Sequence, residues 1–157
     1  MRHLIITLAA FGAFVAPTVA KAGDYDWRGE VHAGPVWSHG HAKGVIGVSG
    51  GVDTTVVGPV FVGAEADLDK GLTRGARVSL GLAGRAGFEL PAIGKIYAVG
   101  GYATRSYRGG DSVWNAGGGI QHPILPGVYG KAEYRHYYAS QRSAAANGVL
   151  IGIGTHF

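Results

Sequence analysis

The stretch Val60-Phe61-Val62-Gly63-Ala64-Glu65-Ala66-Asp67-Leu68-Asp69 decides the fold. Val60, Val62, Ala64, Ala66 and Leu68 share one parity, and Phe61, Gly63, Glu65, Asp67 and Asp69 share the other. Successive side chains of a strand point to opposite sides of its sheet, so this alternation predicts a strand with one apolar and one polar face.

Working outward, seven further runs carry the same signature. Upstream lie residues 27–38, with Trp27, Val31, Ala33 and Trp37 opposing Arg28, Glu30, His32 and Ser38, and residues 44–55, with Ile46, Val48, Val52 and Thr54 opposing Gly47, Ser49, Gly51 and Asp53. Downstream, a run from about residue 74 to 89 sets Val78, Leu80, Leu82, Ala86 and Phe88 against Arg77, Ser79, Arg85 and Glu89. Residues 95–107 alternate less regularly, and Gly100-Gly101 suggests a bulge that resets the alternation and leaves the facing of Tyr97 and Tyr102 open. Residues 112–122, 128–139 and 148–157 complete the set. Gly58-Pro59, residues 91–94 and Pro123 mark turns between them. An even number of runs with short connections predicts an eight-stranded antiparallel up-and-down β-barrel. Strands of about 9 to 11 residues, tilted, cross a membrane's hydrocarbon core.

The two faces indicate which side meets lipid. The apolar face is Ala, Val, Ile and Leu in mid-strand, with Trp27, Trp37, Phe88, Tyr134 and Phe157 as the expected aromatic girdle. A soluble carrier barrel alternates as well, but places its bulky aromatics in the middle of its core. The polar face mixes both signs of charge with glycine, which makes up 29 of the 157 residues. An eight-stranded barrel is just wide enough for side chains to fill it. Arg28, Glu30, Glu65, Arg77, Arg85, Lys131, Glu133 and Arg135 are therefore expected to form a paired network inside a transmembrane barrel.

Met1 to Ala22 reads as a cleaved signal peptide: Arg2 is the positive start, residues 4–15 an apolar run, and Ala20-Lys21-Ala22 the small-x-small site. Cleavage after Ala20 is a rival. The barrel domain is then 23–157, and its formal charge falls from +4 to +2 once Arg2 and Lys21 leave. Its Lys and Arg are spread singly, which argues against nucleic acid. There is no cysteine, so an exported chain of this size needs a source of stability other than disulfides, and membrane insertion supplies one.

The alternating end Val149-x-Ile151-x-Ile153-x-Thr155-x-Phe157, the segment Lys131-Ala132-Glu133-Tyr134-Arg135-His136-Tyr137 and the opening Trp27-x-Gly29-x-Val31-x-Ala33-Gly34 together resemble the opacity-type, OmpA-like family of small outer membrane β-barrels. The resemblance implies a Gram-negative outer membrane location and a structural or cell-surface role. It also implies that Val149, Ile151, Ile153, Thr155 and Phe157 form the signal read by the barrel assembly machinery, with periplasmic chaperones, outer membrane lipid and lipopolysaccharide as further partners. Residues 39–43, 70–73 and 108–111 are shorter than the outer loops of adhesive members, which argues against adhesion.

No catalytic constellation is expected. His136 is distantly similar in setting to the base of lipid A deacylases, yet Tyr138 stands where their nucleophile would, and Ser140 lies further on. His39 and His41 lack an evident third metal ligand. Glu65 with Glu133 reads as ion pairing rather than acid-base chemistry. The glycine runs lack a phosphate loop's Lys-Ser/Thr. The expectation is a non-enzymatic barrel without cofactor or metal. A narrow porin-like pore and, less favoured, a lipid A modifying enzyme are the alternatives, and a soluble periplasmic barrel is a further one that predicts release by osmotic shock without detergent.

Overall fold

Residues 25–104 and 110–157 are described by a computed structural model; the expected signal peptide lies outside them. Eight strands follow one another: β1 (Tyr25–Ser38), β2 (His41–Val57), β3 (Val60–Gly71), β4 (Val78–Leu90), β5 (Gly94–Ala103), β6 (Val113–Leu125), β7 (Val128–Tyr137) and β8 (Ala146–His156). Each pairs antiparallel with its neighbours in sequence, and β8 returns to β1, so the sheet closes into a barrel with no free edge.

Turn chemistry sets the hairpins. His39 and Gly40 both have positive φ (49° and 78°), as both central residues of a type I′ turn must. At the opposite end Gly58 (φ 53°) precedes Pro59, with the positive φ at the first central position as in a type II′ turn, and Pro126 precedes Gly127 (φ 75°), the arrangement a type II turn favours. That end also holds both strand termini and the short connection 91–93. The other end carries the longer connections 72–77, 104–112 and 138–145. Short turns at one end and longer loops at the other match a transmembrane barrel.

Closure has a definite stagger. Successive pairs from Trp27 run through Val52, Ala64, Gly84, Gly100, Ala116, His136 and Asn147 and return to β1 at Trp37, ten residues on. Such a shift obliges eight strands to tilt by about 35–45° from the barrel axis. Tilt and stagger, rather than sequence distance, decide which inward side chains share a level.

The wall is inverted relative to a soluble protein. Arg28, Glu65, Arg85, Lys131, Glu133 and Arg135 are each at most 3% exposed, whereas Leu82, Ile151 and Trp114 are 63–67% exposed. Charged residues are almost never fully buried unless paired, and a continuous apolar exterior is unstable in water. No helix of the described residues is long and apolar enough to cross a membrane.

Several boundaries differ from the sequence reading. The register of β5 runs unbroken against both neighbours, so Gly100-Gly101 is regular strand; Tyr97 points in and Tyr102 out. The irregularities fall instead between Thr55 and Val57 and between Pro123 and Leu125, beside the turns at the short-turn end. Pro123 lacks an N–H for the ladder, and the register shift accommodates it while β6 continues to Leu125. The first connection shrinks to two residues. β5 stops at Ala103, and β4 starts only at Val78.

Candidate functional site in the barrel interior

The inward side chains form one network whose members come from every strand. Glycine makes the room. A Cβ on Gly51 would lie 2.5 Å from Nη2 of Arg28, and one on Gly119 would lie 2.6 Å from the Tyr97 hydroxyl. Those two glycines face their cross-strand partners on the neighbouring strand and leave room for a guanidinium and a phenol.

At the short-turn mouth, Lys95 Nζ contacts Asp26 at 2.5 Å and Asp53 at 3.0 Å. His156 bridges Asp26 (2.7 Å) and Gln121 (3.0 Å). Asp26, Lys95, Gln121 and His156, with Glu89 and Tyr129, line a vestibule of about 310 Å³. Above it Arg85 donates to both oxygens of Asp53 and to Gln121 (3.2 Å), and its guanidinium lies 4.6 Å from the centre of the Tyr97 ring. Arg28 donates to Glu65 at 2.6 Å.

The middle of the lumen is spanned from wall to wall. Arg135 on β7 donates to Glu65 (2.7 Å) and Asp67 (2.9 Å), both on β3, the diametrically opposite strand, while its Nε bonds Glu133. Lys131 pairs with Glu30 and lies 3.5 Å from Glu133. Tyr97 donates to Glu133 (2.7 Å), and Tyr129 to Glu30 (3.2 Å). Higher up, His32 sits between Asp69 (2.7 Å) and Glu30 (3.4 Å). Buried ions are tolerated when partners and hydrogen bonds replace water, and each carboxylate here meets a cation, a histidine or a phenol.

Of the eight residues read as lumen charges, seven are buried and paired. Arg77 is not: it is exposed on the connection ahead of β4. Its parity matches Ser79, but the wall begins at Val78, and beyond the strand end parity no longer aims a side chain inward. The network also includes Asp26, His32, Asp53, Asp67, Asp69, Lys95, Tyr97, Gln121, Tyr129 and His156. Asp53, Asp67 and Asp69 shared the inward parity of their runs and were readable from it. Lys95 and Tyr97 were hidden by the bulge expected in β5.

The outer surface places Trp27, Phe88 and Phe157 exposed near the short-turn end, Trp37 half-buried at the loop end, and Tyr134 exposed on β7. Tyr102 and Trp114 join them at the loop end, edge to face with ring centres 5.1 Å apart. Of the terminal pattern, Ile151, Ile153, Thr155 and Phe157 are exposed, while Val149 is half-buried.

The chemical candidates fall on separate partners. His136 faces out, bonded to Asn147 (2.8 Å) and against the Tyr138 ring, while the Ser140 hydroxyl donates to Asp111. No base and nucleophile meet there. His39 bonds the adjacent Ser38 hydroxyl, and the described residues hold no group of three side chains placed to ligate a metal. Glu65 and Glu133 are both engaged by Arg135.

No family model and no curated protein matches this sequence. Solved structures do match the fold. A de novo designed transmembrane β-barrel aligns with a TM-score of 0.57 at 16% identity, covering 88% of this chain and all of that one. The N-terminal β-barrel domain of Pseudomonas aeruginosa OprF aligns at 0.56 and 15%, covering 83% and 97%. Neisserial surface protein A aligns at 0.55 and 13%, covering 86% and 98%. This chain therefore shares the fold of small eight-stranded transmembrane β-barrels.

Proposed function

We propose that the protein is a non-enzymatic outer membrane β-barrel of the opacity-type, OmpA-like kind, exported by its N-terminal signal peptide. Its barrel is plugged by its own charged side chains, and its role is structural or at the cell surface. The observation that carries this reading is Arg135 on β7 engaging Glu65 and Asp67 on β3, which ties opposite walls across the lumen. A pore needs a continuous aqueous path, and here the central cross-section is occupied by mutually paired side chains of low exposure. An exterior of Ala, Val, Ile and Leu with aromatics toward both ends fits a bilayer-spanning surface. The exposed pattern at Ile151, Ile153, Thr155 and Phe157 is available to assembly machinery.

The test is placement first. Outer membrane fractionation with heat-modifiable gel migration is the expected result, and release by osmotic shock without detergent contradicts it. Mass spectrometry of lipid A with and without expression is expected to give identical spectra; a changed spectrum supports the enzyme instead.

A further inference from the structure

The two mouths of the barrel differ in the sign of their exposed charge. Among the described residues the exposed lysines and arginines are Lys43, Lys70, Arg74, Arg77 and Arg142, and all of them lie at the loop end. At the short-turn mouth the cation is Lys95, which is buried and engaged by Asp26 at 2.5 Å and Asp53 at 3.0 Å. Glu89 is the cross-strand partner of Lys95 and shares its inward parity. Because Lys95 turns to the two aspartates, the Glu89 carboxylate is left exposed at the mouth with no ion-pair partner among the described residues. Every other described acidic side chain meets a cation, a histidine or a hydrogen-bond donor.

The surroundings of Glu89 are fixed. Its own N–H donates to Pro59 O at 2.7 Å, which holds it at the end of the hairpin. It borders both the vestibule of about 310 Å³ and a smaller recess of about 30 Å³, which share Asp26 and Lys95 with it. The Tyr129 ring lines the vestibule and packs on the His156 imidazole with centres 4.6 Å apart. Leu90, Pro91 and Pro123 add apolar wall. His156 is itself held by Asp26 and Gln121, so the rim is set before any ligand arrives.

A free carboxylate, an aromatic face and a short apolar wall around one small cavity suit a primary ammonium group on a methylene chain. The ammonium donates charge-assisted hydrogen bonds to the carboxylate, and the ring attracts the cation while the wall covers the methylenes. An anion would meet Glu89 and Asp26. A bare metal ion lacks its ligands, since the described residues hold no group of three side chains placed to bind one.

We propose that the short-turn mouth is a binding site for alkylammonium ions, in which Glu89 takes the ammonium group and Tyr129, Leu90 and Pro91 pack against its methylene chain. The site goes beyond the plugged-barrel reading, because the mouth binds while the lumen above it stays closed. It requires the closed barrel and is independent of the role assigned to the outer wall.

The experiment is an NMR titration of the refolded full chain, in micelles of a neutral-headgroup detergent, with cadaverine. Saturable shifts are expected at Glu89 and Tyr129. Glu89→Gln should weaken binding by at least about tenfold, the loss of one charge-assisted hydrogen bond. Glu89→Asp, which keeps the charge, should restore binding, and Asp111→Asn, which removes a carboxylate at the other mouth, should bind as the wild type does. Pentane-1,5-diol has the same chain without charge and should give no saturable shift. Acetyl-lysine amide, titrated in parallel, distinguishes a lysine side chain from a free amine as the source of the group. Unchanged affinity in Glu89→Gln, equal binding of the diol, or saturable shifts confined to the loop end overturns the proposal. Displacement of cadaverine by equimolar Mg²⁺ overturns it in favour of a simple inorganic cation site. Heat-modifiable migration of each variant reports barrel formation separately from ligand binding.

Discussion

The two faces of β7 carry opposite assignments. Lys131 and Arg135 point inward and are bound by groups from β1 and β3, Glu133 points inward and is bound by Tyr97 on β5, and Ala132 and Tyr134 point outward to no protein wall. The inner face is consumed by its own contacts, and the outer face depends on its surroundings. The interior contacts tie the strands to one another across the barrel.

The sharpest way to break this contrast is to remove one lumen charge. Glu65→Gln leaves Arg28 and Arg135 buried with a neutral partner, and a loss of about 3–5 kcal/mol is expected in urea unfolding from lipid vesicles. The reverse substitution, Ala132→Arg, puts a charge on the outer side of β7 between Ile120 and Ile151. Its expected cost is about 2–4 kcal/mol in the same assay. Equal tolerance of both substitutions would erase the distinction.

Gly51→Val tests the packing of the inner face. Its Cβ would crowd the Arg28 guanidinium and the Ala64 carbonyl at 2.7 Å, and a loss of about 1–3 kcal/mol is expected. Trp114→Ala, on the outer face, removes the edge-to-face contact with Tyr102. About 0.5–1.5 kcal/mol should be lost, with no change in the lumen.

The contrast also explains what could be read from sequence. β3 is legible because every second residue differs in polarity, and its ten-residue signature survives intact in the barrel. β5 is less so. Gly94, Gly100 and Gly101 carry no polarity, and without that signal the inward aim of Lys95 and Tyr97 could not be followed. Arg77 failed for a different reason, since alternation continues in the letters after the wall has stopped. The pairing itself lies beyond periodicity: Glu65 and Arg135 are 70 positions apart and meet only because closure with a ten-residue stagger sets β7 opposite β3. Seven of the charges could be placed on the inner face without knowing which would touch.

The plugged lumen is most directly tested by planar-bilayer recording of the purified, refolded protein. The wall-to-wall contacts of Arg135 with Glu65 and Asp67 predict a baseline without steady single-channel steps after confirmed insertion. A stable, reproducible conductance from the wild-type barrel would contradict the account and establish a pore.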